Sequence, residues 1–202
     1  MENFSLENKN PDQEKLQKKF EYYKKDFPLT QEELQGSLLD VGASTGEFVQ
    51  YLRDVLHNTD AKAVEFQEAK IKPENSEWHI QADGLELPFE DNSFETVTAH
   101  NYLPMFIGDT EKMEKAITEL LRVVKQNGRV MGDIATPEFV KKSNDEIKKN
   151  LGEEYSDRDE ARFKEDYKGA EHLQDFLETL KDNHDVQLLS PLSSKTVLII
   201  KK

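Results

Sequence analysis

Apolar residues recur with two different periods along this chain. Short continuous runs at 38–41, 61–66, 78–83, 96–99, 129–135, 186–189 and 196–200 read as seven strands. Between them Phe48, Leu52, Val55 and Leu56 recur at helical spacing. So do Met113, Ala116, Ile117, Leu120, Leu121 and Val124, and again Leu173, Phe176, Leu177 and Leu180. Ahead of the first strand, Leu16, Phe20, Tyr23 and Phe27 form an apolar stripe interleaved with lysines, on a helix that Asn10-Pro11 opens and Pro28 ends. Stripe inward and lysines outward is the pattern of a helix that packs on the body or covers a site. A second short helix is expected at 30–34.

Turn residues set the remaining boundaries. Residues 1–9 are polar and expected to fray, Asn127-Gly128 is expected to stop the helix that carries Met113, and 191–194 is short enough for a hairpin. Strands alternating with helices and closing on a hairpin predict an α/β fold: a doubly wound, mostly parallel seven-stranded sheet with an antiparallel C-terminal strand. With 202 residues and no internal repeat, a single domain over 1–202 is expected, with a helical cap at 10–34. A strongly charged, helix-prone insertion at 136–169 carries scattered anchors such as Phe139, Phe163 and Tyr167. It reads either as a solvated decoration or as a lid and substrate wall over the strand ends.

The turn that follows the first strand, Gly42-Ala43-Ser44-Thr45-Gly46, is where chemistry enters. Gly42 and Gly46 reach backbone angles closed to other residues, and the small residues between them keep the turn slim. Free N–H groups at the start of the helix from Glu47 are expected to face a ligand there. Three acids, Asp40, Glu65 and Asp83, each stand at the C-terminal end of a predicted strand, the edge where open α/β sheets bind ligands. A phosphate is the first candidate for such a turn, but acids beside it suit a phosphate-free, positively charged nucleoside better.

Composition removes several classes. A net charge of −14 disfavours unaided binding to nucleic acid or anionic membranes. The absence of cysteine excludes disulfides, cysteine-ligated zinc, iron–sulfur clusters and cysteine nucleophiles. His57, His79, His100, His172 and His184 are scattered over different elements, so no catalytic metal is expected. Without a basic-then-apolar leader or an apolar run near ~20 residues, a cytoplasmic location away from membranes is the expectation.

Leu39-Asp40-Val41-Gly42-Ala43-Ser44-Thr45-Gly46 resembles the first motif of the class I S-adenosylmethionine-dependent methyltransferases, with Ser44 where glycine is usual. The stretch from Ala82-Asp83-Gly84 through Leu87-Pro88-Phe89 to Asp91-Asn92-Ser93-Phe94-Glu95 resembles that family further, with Glu95 where aspartate is common. The resemblance implies a Rossmann-like sheet and S-adenosylmethionine as cofactor, leaving S-adenosylhomocysteine. The residues it implies around the cofactor are Asp40, Gly42, Ala43, Ser44, Gly46, Glu65, Phe66, Asp83, Gly84 and His100, with Glu65 on the ribose hydroxyls and Asp83 on the adenine amino group.

His100, at the end of the fourth strand, is a candidate base for an oxygen or nitrogen acceptor, or else a residue that packs against the cofactor, and Tyr102 would orient the acceptor. The resemblance implies a small-molecule acceptor. The alternatives are a cofactor-binding partner protein without catalysis or a nucleic acid or protein methyltransferase. Against nucleic acid, the loop at His100-Asn101-Tyr102-Leu103 does not resemble the Asn/Asp-Pro-Pro-aromatic signature of amino-directed members.

Overall fold

The computed structural model describes residues 11–189 and 196–202. Its seven strands are β1 (Leu38–Val41), β2 (Lys62–Glu65), β3 (His79–Gln81), β4 (Phe94–Ala99), β5 (Val124–Ile134), β6 (Asp185–Leu189) and β7 (Thr196–Lys201). They form one sheet in the order β3-β2-β1-β4-β5-β7-β6. Pairing is parallel from β3 across to β5, and β7 runs antiparallel to both β5 and β6. The doubly wound, mostly parallel sheet with an antiparallel C-terminal strand is thus as the residue pattern predicts. The hairpin turn at 191–194, the Asn10 cap and the frayed residues 1–9 lie outside the described residues.

Helices α1 (Pro11–Asp26), α2 (Gln31–Gln35) and α3 (Glu47–Asp54) precede β2, while α4 (Thr110–Val123), α5 (Pro137–Leu151) and α6 (Asp157–Leu180) follow β4. The period of two along each strand divides the core into two layers. Leu39 and Val41 of β1, Val64 of β2 and Leu198 of β7 face Ile117 and Leu120 of α4 and Leu173 of α6. Leu38, Ala63, Val197 and Ile199 face α1 and α3 on the opposite side. Asp40 shares the parity of Leu38 and therefore points toward α1. The stripe of α1 docks on α3 through stacked rings, Tyr23 on Phe48 with centroids 4.0 Å apart and Phe20 on Tyr51 at 4.2 Å.

Two boundaries differ from the sequence reading. Helix α4 ends at Val123, and Asn127-Gly128 lies inside β5, where the register against β4 shifts between Phe94 and Thr96. Asn127 takes a left-handed φ of 65°, and a Cβ on Gly128 would come within 2.6 Å of the Glu95 carbonyl oxygen. The dipeptide serves a strand irregularity rather than a helix stop. The predicted last helix at Leu173 is the C-terminal half of α6, which runs unbroken from a Ser156–Asp159 capping box through the charged segment. No helix among the described residues is long and apolar enough to cross a membrane.

Candidate functional site

The glycine turn is closed onto β2. The N–H groups of Gly42 and Ala43 both donate to the Val64 carbonyl at 3.0 Å, Gly46 donates to the Ala43 carbonyl at 3.0 Å, and Ser44 donates to Glu65 Oε2 at 2.9 Å. The expected free donors at these residues are therefore spent within the protein, because β1 and β2 pair closely enough for the turn to fold back on its neighbour. What the turn offers a ligand is close approach. Gly42 has φ 73°, and a Cβ there would stand 3.1 Å from the Tyr102 ring. Ser44 also takes a left-handed φ, 54°, so the residue that stands where glycine is usual keeps the glycine conformation.

Glu65 ends β2 with its carboxylate fixed from both sides. Oε2 accepts from Ser44 N–H and Oε1 from Gln67 N–H at 3.0 Å, with Lys70 Nζ 3.8 Å away. Each oxygen retains a lone pair for a further donor. Asp83 follows β3, and its Oδ1 accepts from Leu85 N–H at 2.9 Å, which makes the turn that carries Gly84. A side chain at Gly84 would run into the Tyr102 hydroxyl. That hydroxyl is itself buried with no hydrogen-bond partner, and burial beside the Asp83 and Glu119 charges pushes its pKa well up.

Asp40 lies beneath the site rather than in its wall. Tyr23 Oη donates to Oδ2 at 2.9 Å and Thr98 Oγ1 to Oδ1 at 2.8 Å, and burial pushes the carboxyl up to about 7. Next to it, α1 makes a second polar tie: His100 Nε2 stands 2.9 Å from Asp26 Oδ2, with both side chains 1% exposed. The imidazole sits among the rings of Tyr22, Tyr23 and Phe27, with centroids 4.8 to 5.2 Å away. Its Nδ1 faces the Asn101 amide nitrogen at 2.8 Å, a geometry in which Nδ1 accepts from that amide and an Nε2–H is directed at Asp26.

These elements enclose a cavity of about 640 Å³ at the C-terminal edge of the sheet. Gly42, Ala43, Ser44, Glu65, Phe66, Asp83, Gly84, His100 and Tyr102 all line it; Asp40 and Gly46 do not. Gly46 caps α3 in the left-handed conformation and lies against Trp78 and His79. The exposed side chains of Phe66 and Met105 belong to the same lining. Among the described residues no three His, Asp or Glu side chains gather closely enough to hold a metal ion.

The order of the seven strands and the acids on successive strand ends meet a third finding. Residues 39–132, just under half of the chain, match the family model described as a methyltransferase domain. That stretch is similar to a methyltransferase domain. The matched stretch starts on β1 and ends in β5, so it spans every strand that contributes to the cavity.

Among curated proteins, the ubiquinone/menaquinone biosynthesis C-methyltransferase UbiE of Idiomarina loihiensis is 28% identical over 105 residues, which is 46% of this chain and 40% of that protein's length. Among solved structures, a Thermotoga maritima protein described as a SAM-dependent methyltransferase superposes with a TM-score of 0.55 at 20% identity, covering 95% of this chain and 90% of its own. The plantazolicin methyltransferase BpumL in complex with SAH superposes at 0.54 with 13% identity, covering 96% and 91%.

Sequence reasoning missed what α1 brings to the site. Lys19 and Tyr23 line the cavity, and Asp26 closes on His100 behind it. The signal available was spacing: 19, 23 and 26 fall on one helical face, and a tyrosine and an acid within an apolar stripe need buried partners.

Proposed function

We propose that this methyltransferase binds S-adenosylmethionine in the 640 Å³ cavity and directs its methyl group to an oxygen or nitrogen of a small-molecule acceptor. The observation that carries the reading is the pair of acids on adjacent strand ends, Glu65 and Asp83, opening into one cavity beside a turn that has spent four of its five N–H groups within the protein. A turn that has spent four of its five N–H groups offers a phosphate little to bind, whereas a ribose diol and an exocyclic amine are donors that carboxylates accept. In this reading Glu65 holds the ribose hydroxyls, Asp83 holds the adenine amino group, and Gly42 and Gly84 let the ligand approach the backbone closely.

When bound, S-adenosylmethionine supplies a methyl group already activated on a sulfonium. What remains for the chain is alignment and exclusion of water, a contribution of roughly 7 to 11 kcal/mol at best. The burial of His100 between Asp26, Asn101 and three aromatic rings favours its packing role over that of base, since its proton-accepting nitrogen already has a donor opposite it. Tyr102, beneath the adenine side of the cavity, serves the cofactor rather than the acceptor. The helices α5 and α6 would form the acceptor side, with a groove of about 330 Å³ between them lined by Phe139, Val140, Ile147 and Phe163.

Calorimetric titration with S-adenosylhomocysteine tests the reading: binding at micromolar concentration is expected, and no binding overturns it. A metabolite screen scored by methyl transfer then separates oxygen or nitrogen acceptors from the carbon acceptor that the name of the Idiomarina relative implies for that protein.

A further inference from the structure

Five charged side chains line the cavity: Lys19, Glu65, Lys70, Asp83 and Lys112. Four stand on or near the β2 and β3 side, where the cations are already paired, Lys70 beside Glu65 at 3.8 Å and Lys112 with Asp109 at 2.8 Å. Lys19 is different. It comes from α1, on the other side of β1, and its ammonium stands 5.5 Å from the Tyr23 ring centroid and 5.8 Å from that of Tyr22. Its helical neighbours Lys15 and Lys18 pair with Glu47 and Glu14, but no ion pair to Lys19 forms among the described residues. The acid beneath it, Asp40, gives its oxygens to two hydroxyl donors and is partly protonated near neutral pH.

The cavity therefore has two chemically distinct ends. Acids at Glu65 and Asp83 call for neutral or cationic donors, and a lone cation resting on two aromatic faces calls for an anion. Tyr23, which carries that cation, lies with its ring 4.8 Å from His100 at the end of β4, so the positive end falls across β1 from Glu65.

We infer that Lys19 binds a carboxylate on the ligand's far end, so that the cavity takes a nucleoside bearing an amino-acid tail and α1 closes over that tail. This rests on the cofactor reading above and adds the residue that reads the tail. Cofactor affinity then depends on the docking of α1, and a nucleoside without a carboxylate gains nothing from it.

The test compares two probes on the full chain, S-adenosylhomocysteine and 5′-methylthioadenosine, which shares the nucleoside but lacks the amino-acid carboxylate. Lys19→Met is expected to weaken S-adenosylhomocysteine by roughly 10- to 100-fold, the range of one charge-assisted hydrogen bond. It should leave 5′-methylthioadenosine and the melting temperature unchanged, and Lys19→Arg should restore most of the loss. Unchanged affinity for S-adenosylhomocysteine in Lys19→Met, or equal losses for both probes, overturns this inference and leaves the cofactor reading intact. Failure of the unaltered protein to bind S-adenosylhomocysteine overturns both.

Discussion

The Tyr23 hydroxyl donates to Asp40 Oδ2 at 2.9 Å, joining the first helix to the end of the first strand beneath the glycine turn. Burial dominates this carboxyl and pushes it up to about 7, against the hydrogen bonds from Thr98 and Tyr23. Folded Asp40 thus holds its proton more tightly than the unfolded chain, whose carboxyl titrates near ~3.9. Its contribution to stability is full below that value, falls as pH rises toward 7 and is constant above it. Asn at this position can satisfy both hydroxyls, since each can donate or accept. Asp40→Asn is therefore expected to gain about 2–4 kcal/mol on the native protein between about pH 4 and pH 8. Urea unfolding at both pH values checks it, and parallel curves would show that Asp40 is not the titrating group.

Ser44→Gly should stabilise the protein by about 0.5–1 kcal/mol, because Ser44 occupies a left-handed φ of 54° that glycine adopts without strain. The Ser44 N–H to Glu65 is a backbone bond and survives the change. Affinity for S-adenosylhomocysteine should then stay within twofold while the melting temperature rises.

Tyr102→Phe removes a buried hydroxyl that has no partner. In the absence of ligand this should stabilise the fold by about 1 kcal/mol, the cost of an unsatisfied buried polar group at its lower bound. Calorimetric melting of the two proteins without ligand reads the effect directly.

Arg122 on α4 binds the loop that follows Asp83: its guanidinium donates to the carbonyls of Leu87 and Phe89 at 2.9 and 2.8 Å and to Glu119 and Asp91 at 2.9 Å. Glu119 in turn accepts the Leu87 N–H at 3.0 Å. Arg122→Ala leaves two carbonyls and two carboxylates short of donors and should cost about 2–3 kcal/mol. Because that loop begins at Asp83, nucleoside affinity should fall with it, whereas Lys19→Met should spare the nucleoside. Melting curves and 5′-methylthioadenosine titrations separate the two effects.

The strands and the acids at their ends were readable because a buried parallel strand is an unbroken apolar run, and the residue that ends it is set by local chemistry. Glu95 was visible as a departure from aspartate, but its use was not. Its longer side chain reaches across 58 residues of sequence to accept the Ser37 N–H at 3.1 Å. Asn127-Gly128 was misread since a left-handed turn looks alike after a helix and inside an irregular strand. The inward-turned donors of the glycine turn and the pairing of Asp26 with His100, 74 residues apart, depend on how elements meet, which no local pattern records. Helix α6 was divided because its charged half shows little of the apolar periodicity that marks its other half.

Helix α1 is tied to the body by Tyr23 and Asp26, and the same face carries Lys19 into the cavity. Its hydrogen-bonded amide protons exchange with solvent when the helix opens, opening is easier once that face has lifted away, and a ligand held by Lys19 as inferred above adds its binding energy to what lifting must overcome. Deuterium uptake along this single helix should therefore act as an occupancy gauge, slowing with S-adenosylhomocysteine and hardly at all with a bare nucleoside, while uptake in α5 serves as the internal clock.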